Sequence, residues 1–409
     1  MKDFCVVLVF NKSFVGKSFD TIKQIREVGL YKGDIVCIIG DDLKKLTRLI
    51  HKDKNLVVKY FPDMGRTKER NDQFGVNKPF QFHKFYCFHS WFRENYKKCF
   101  YMDVGMSIYK PLDKIINLDC TGKILAHSDA YPTYKSKLSD QFDKKQFPEQ
   151  FKQLEAMYNL DVDYFQSTMM LYDTSIISEY TFATLVKLSN VYQNNKTNTQ
   201  GFMNLYFNCL LKVWEQIQIR DSETHYYDFY EREDLDPIDY IMVKYSQEPN
   251  KEHFGSWSFS IELFNWVRNN LSTGKTILEL GSGNATKELT RYYKVHSIEH
   301  NEEWVGHAKR SNYMHAPIVQ YEGYKWYDKK IVKKSIPKEY DLLLVDGPQG
   351  DIGRQGFVHN IDLFKTDIPI ILDDTNRHVE ATMRNELAKK LNKKVLTFDG
   401  AGKKFSILL

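Results

Sequence analysis

Short apolar runs alternate with stretches of helical period along this chain, and acids, glycines and prolines bound the runs. Residues 3–10 (DFCVVLVF) read as a buried strand, 19–28 as a helix and 34–40 (DIVCIIG) as a second strand. Residues 84–92 (KFYCFHSWF) predict an aromatic-rich amphipathic helix, and the strand after it ends at Asp103-Val104-Gly105 before a return strand at 106–112. Another strand follows within 163–173 and a helix start at 199–204. The second half repeats the design, with strands at 277–280, 295–299, 318–321, 340–346 and 368–372. Such alternation predicts an α/β fold with parallel sheets. A chain of 409 residues is long enough for two domains with separate cores. The boundary is expected between Glu231 and Gly255, where charge, proline and turn residues concentrate, giving domains 1–240 and 241–409.

The run Ile277 to Ala285 (ILELGSGNA) joins a buried strand, an acid and a glycine turn. Gly281 and Gly283 let the backbone turn sharply toward a helix near Thr286, and a second short strand ends in Glu299, placed to take ribose hydroxyls. This order of signals resembles the class I S-adenosylmethionine-dependent methyltransferases over roughly Phe254 to Leu409. The resemblance implies a cofactor loop of Glu279, Gly281, Ser282 and Gly283, with Glu299 on the ribose. An NAD site is the rival, but Lys287 stands where its fingerprint asks for a small helix-packing residue.

Two later strands end in acids: Tyr340 to Pro348 carries Asp346, and Ile368 to Asp374 carries Asp373 and Asp374. Three carboxylates at one rim make a hard oxygen site suited to magnesium or manganese, whereas the plainer reading is that each caps the helix that follows. The pattern is similar to that of metal-dependent O-methyltransferases of the catechol type and especially to sugar O-methyltransferases of the macrocin type. That likeness implies Asp346 as both ligand and proton acceptor, with Asp373 and Asp374 completing the metal set.

The first half resembles the GT-A glycosyltransferases, in particular the glycogenin and galactosyltransferase-like families, over about Met1 to Asp236. The pattern of lysine-bearing helix, apolar strand, D-x-D and return strand reads here as Lys84, Asp103 and Gly105, with Gly105 in place of the second acid. The resemblance implies Asp103 for metal or donor diphosphate, Lys84 for donor phosphate, and Gln166 and Gln200 for sugar hydroxyls. It also implies Phe10 and Asn11 beside the nucleotide base, and His225 as a late metal ligand. Thr199 replaces the acid of the family's D-Q pair. Each of these residues, read singly, also fits a surface or capping role.

The six cysteines all fall before residue 210, mostly inside apolar elements and without a CxxC pair, so they read as core thiols of a reducing compartment. His296 and His300 sit on a strand and its turn, a poor geometry for zinc. The net charge of +5 permits an anionic nucleotide-sugar without pointing to nucleic acid. The apolar residues 5–10 are too few for a signal peptide or membrane span, which sets the expectation of a soluble, cytoplasmic protein, in the host cytoplasm if viral. Tyr226, Tyr227, Phe229 and Tyr230 read as a sugar platform or an interface patch, and Trp326 and Tyr327 as neighbours of adenine or core residues.

The sequence therefore predicts a bifunctional glycan-modifying enzyme, transferring a sugar from a UDP- or GDP-linked donor to an oligosaccharide or other glycan acceptor and O-methylating a sugar hydroxyl. The first alternative is a sugar O-methyltransferase whose N-terminal half is a non-catalytic glycan-binding relic. An RNA methyltransferase and a non-catalytic assembly protein are the others.

Overall fold

A computed structural model describes residues 1–48, 53–64, 79–129, 136–217, 220, 224–228, 236–244, 249–255 and 257–409. Phe229, Tyr230 and parts of the expected boundary, 231–235 and 245–248, lie outside the described residues. The chain forms two compact units, one of 1–106 with 111–227 and one of 228–409 with 107–110.

The strands in chain order are β1 (Lys2–Val9), β2 (Asp34–Ile39), β3 (Leu56–Tyr60), β4 (Tyr96–Met102), β5 (Ser107–Ile108), β6 (Ile124–Ser128), β7 (Phe165–Asp173), β8 (Trp214–Gln216), β9 (His225–Asp228) and β10 (Tyr240–Val243). Then follow β11 (Thr276–Leu280), β12 (Lys294–Glu299), β13 (Asn312–His315), β14 (Ile318–Tyr321), β15 (Tyr324–Tyr327), β16 (Leu342–Val345), β17 (Ile370–Leu372), β18 (Val395–Gly400) and β19 (Lys403–Leu408).

The first unit is built on a seven-stranded sheet of order β3-β2-β1-β4-β7-β6-β8. Its β1 to β4 are parallel, and β7 runs antiparallel to both β4 and β6. All six residues of β2 are buried, as expected of a strand covered on both faces. The segment expected as one amphipathic helix is instead a 3-10 helix, Pro79–Phe88, followed by a short α-helix, Ser90–Asn95. His89 divides them, its Nδ1 accepting from the Trp91 N–H. Phe82, Phe85, Tyr86, Cys87 and Phe88 are all buried, so most of this piece packs into the core, while Lys84 stays half-buried beside Asp103. The return strand after Gly105 is only Ser107–Ile108, and it pairs antiparallel with β10.

The second unit carries a seven-stranded sheet of order β13-β12-β11-β16-β17-β19-β18. From β13 to β17 the strands are parallel, and β19 is antiparallel to both neighbours. The expected third strand, 318–321, is corrected here. That segment forms a separate hairpin with β15, and β13 takes the place beside β12. Pro317 explains the break, since it lacks the N–H a ladder needs. Chain direction across the sheet reverses between β11 and β16, because β11, β12 and β13 run outward one way before the chain returns to set β16 on the other side. Ligands of open α/β sheets bind outside the carboxyl ends of the strands at such a point.

The cysteines are free thiols, all buried except Cys209, which is half-buried. No helix among the described residues is long and apolar enough to cross a membrane.

Candidate active sites

At the reversal point of the second unit, Gly281 has φ +85°, and a Cβ on it would stand 2.7 Å from the Gly347 nitrogen and 2.8 Å from its Cα. Two strand-end loops thus cross where both residues lack side chains, which is the physical reason for glycine at each. Ser282 is held from beneath: its N–H donates to Glu299 Oε2 over 2.8 Å. Glu299 Oε1 accepts from the N–H groups of His300 and Asn301, at 2.7 and 2.8 Å. A carboxylate has about four acceptor positions, so Glu299 keeps capacity for a ligand hydroxyl.

Glu279 is placed differently. It is buried under the turn, accepting from the hydroxyls of Ser297 (2.7 Å) and Thr286 (3.0 Å), and Thr286 in turn accepts from the Gly283 N–H. Burial pushes its carboxyl up to about 8, against the effect of those hydroxyls. Glu279 therefore braces the loop from within, and the helix following the loop is a single turn, Thr286–Leu289.

A cavity of about 260 Å³ opens here, lined by Gly281, Ser282, Glu299, Asp346 and Gly347 together with Trp257, His300, Trp304 and Gln349. That is near the lower bound of about 300 Å³ for ligand pockets. Behind Gly347 lies the Tyr327 hydroxyl, fully buried and without a protein partner. Trp326 is likewise in the core, against Gly356. A ring-bearing ligand rich in hydroxyl and amino groups fits this lining, which offers two indoles and free carboxylate capacity. Trp257, Trp304, His300 and Gln349 carry no motif spacing and are brought in only by the fold.

Asp346, Asp373 and Asp374 meet at the same edge, with one oxygen of each within 4.8 Å of the others, so the triad could hold an ion. Asp373 Oδ1 is buried without a hydrogen-bond partner, which suits it to hold a cation. The other oxygens are matched to bases. Arg354 reaches Asp374 Oδ2 at 2.9 Å and Asp346 Oδ1 at 3.3 Å, Arg377 reaches Asp374 Oδ2 at 3.1 Å, and Lys403 Nζ lies 2.6 Å from Asp373 Oδ2. Burial, reinforced by Asp373, holds the Asp346 carboxyl well above its usual range. For Lys403, burial opposes the charge, but Asp346 and Asp373 outweigh it and raise its pKa.

In the first unit Asp103 follows β4 at the carboxyl edge of the sheet. Its Oδ1 accepts from the Tyr101 hydroxyl and lies 3.0 Å from Lys84 Nζ. Lys84 also donates to the Ser167 carbonyl at 3.1 Å, and the Ser167 N–H donates to Gln200 Oε1 at 3.0 Å. Lys84, Asp103 and Gln200 thus share one network through β7. Next to Ser167, buried Gln166 accepts from the Tyr227 hydroxyl at 3.0 Å and leaves its Nε2 unpaired. Gly105 has φ +85°, so the backbone turn after Asp103 favours glycine where D-x-D would put an acid. Phe10 is buried, its N–H donating to the Ile38 carbonyl, while Asn11 Oδ1 accepts from the Ser13 N–H and caps a short turn. His225 opens β9 and bridges to Arg220. Among the described residues, neither Asp103 nor His225 belongs to a cluster of three metal-type ligands.

No known protein-family profile matches the chain, and no curated protein matches it. Its solved structural neighbours include glycosyltransferases. The galactosyltransferase LgtC, in complex with donor and acceptor sugar analogs, is 12% identical with a TM-score of 0.43, and the match covers 66% of this chain and 96% of that one. The bifunctional glycosyltransferase WbbM is 16% identical with a TM-score of 0.42, covering 60% and 46%. The glycosyltransferase GlyE of Streptococcus pneumoniae is 10% identical with a TM-score of 0.38, covering 96% and 99%. Likeness this distant leaves activity to be argued from the residues.

Proposed function

We propose that the chain is a bifunctional glycan-modifying enzyme that transfers a sugar from a nucleotide-linked donor and O-methylates a sugar hydroxyl. The observation that carries the methyl-transfer half is that the Gly281–Gly283 turn, Glu299 and Asp346 line one cavity at the point of chain reversal. S-adenosylmethionine, when bound there, would supply an electrophilic methyl group.

In this reading Glu299 orients ribose hydroxyls with its remaining acceptor capacity, and its three N–H contacts keep it rigid. Trp257 and Trp304 line the cavity and offer ring faces to a bound base. Asp346, whose proton affinity burial raises, takes the proton from an acceptor hydroxyl. Arg354 offsets the charge left behind, together with Lys403 or with a divalent ion that the triad would hold in its place.

In the first unit, the network of Asp103, Lys84 and Gln200 supports the donor-site roles that the GT-A resemblance implies, with Gln166 bonded separately to Tyr227. In this reading Lys84 offsets the charge of a leaving diphosphate, and its pairing with Asp103 keeps it in place before the donor arrives. Keeping two activities in one chain raises the effective concentration of one product at the next site. The second reading, a glycan-binding relic joined to an active methyltransferase, draws on Gly105, which removes one of the two acids a donor-bound metal would use.

Transfer of labelled methyl from S-adenosylmethionine to oligosaccharides, and release of UDP or GDP from sugar donors, are the assays. Methyl transfer without nucleotide release selects the relic. Neither activity over a broad acceptor set rejects both.

A further inference from the structure

We propose that Lys403 is the resident cation of the Asp346, Asp373 and Asp374 cluster, and that a divalent ion enters only by displacing it. Divalent magnesium, manganese or calcium sits about 2.0–2.6 Å from its oxygen ligands. Lys403 Nζ is 2.6 Å from Asp373 Oδ2, so an ion on that oxygen and the ammonium claim the same space. The second oxygen of Asp373 is buried and unpaired, which leaves the carboxylate half-satisfied by lysine and able to take a better cation.

The two buried bases of the cluster differ in how they are held. Arg354 is part of the framework, because besides Asp346 and Asp374 it donates to the carbonyls of Pro348, Asp346 and Asp373. Removing its guanidinium would orphan three carbonyl groups. Among the described residues, Lys403 meets only carboxylates through its ammonium, Asp373 at 2.6 Å and Asp374 at 3.6 Å. It opens β19 directly after the exposed turn residues Ala401 and Gly402, and its side chain is 10% exposed, so its stem can swing out toward water.

Charge makes the exchange competitive. Three carboxylates already face Arg354, Lys403 and Arg377. An ion added without loss of a base would leave a buried cluster with excess positive charge, which a low-dielectric site resists. Lysine departure lowers that excess and frees both oxygens of Asp373 for the metal.

The proposal deepens the methyl-transfer reading, but the metal equilibrium is measured without cofactor, so either can fail while the other stands. Manganese binding to the full chain is followed by the paramagnetic signal of free Mn²⁺. Lys403→Met is expected to bind at least tenfold more tightly than wild type, and Lys403→Arg, which keeps the charge, as weakly as wild type. In the wild type, millimolar Mn²⁺ should raise acetylation of Lys403 by an amine-reactive reagent, read by mass spectrometry. That measurement needs no variant and stands if Lys403→Met does not fold. Equal affinities for wild type and Lys403→Met, no binding by either, or unchanged Lys403 labelling at saturating Mn²⁺ would overturn it.

Discussion

The backbone N–H of Ser282 donates to Glu299 Oε2 over 2.8 Å, tying the glycine turn to the acid that ends the next strand. Glu299→Gln sets an amide N–H against the Ser282 N–H, two donors with no acceptor between them. The expected result is a tenfold or greater loss of S-adenosylhomocysteine affinity with about 1–3 kcal/mol of lost stability. Calorimetric titration beside a denaturant melt checks both, and an unchanged affinity would remove Glu299 from the site.

Glu279 makes the second unit's stability depend on pH. Its folded-state carboxyl lies at about 8 against an ordinary value of 4.5, so the folded protein holds a proton that the unfolded chain gives up. The stabilisation is full below about 4.5 and is lost as pH rises toward 8, amounting to at most about 5 kcal/mol. Melts between pH 5 and 8 should show a falling midpoint for this unit in wild type and a flatter course in Glu279→Gln. A midpoint that rises with pH in wild type would contradict the burial argument.

Gly281→Ala brings a Cβ to 2.7 Å from the Gly347 nitrogen, at a backbone angle of φ +85° that alanine rarely takes. Backbone strain of about 1–2 kcal/mol adds to the clash of two main chains. Cofactor-product binding should disappear, with the melt of the first unit unchanged. Retained binding would mean that the two loops can part without cost.

Much of this architecture was legible in the residues because strong apolar runs ending in acids or glycines mark parallel strands and their carboxyl edges. β2, β7, β16 and β17 fall inside the expected runs, and β1, β11 and β12 begin one residue before theirs. The misses have local causes. β13 (Asn312–His315) is an edge strand with little apolar character, and the run after Pro317 reads more strongly although it forms a hairpin. Residues 84–92 combine aromatic and polar letters as an amphipathic helix would, yet His89 divides them and the aromatics pack on every side. Arg354 and Lys403 had no spacing to reveal them. Only their buried charge against Asp346, Asp373 and Asp374 sets them apart.

Lys84 connects Asp103 to the strand that carries Ser167 and Gln166. Lys84→Met should lower nucleotide release from a sugar donor by at least a hundredfold, about 2.7 kcal/mol of transition-state stabilisation. Methyl transfer to a preformed oligosaccharide should not change. Loss of both activities together would show that the variant damages the fold instead of a donor site.

The most direct test is calorimetric titration of the whole chain with S-adenosylhomocysteine, followed in the same sample by UDP- and GDP-sugars. The bifunctional account predicts one site for each class of ligand, the first abolished by Gly281→Ala and the second by Lys84→Met. No heat from S-adenosylhomocysteine at any concentration up to millimolar would contradict it.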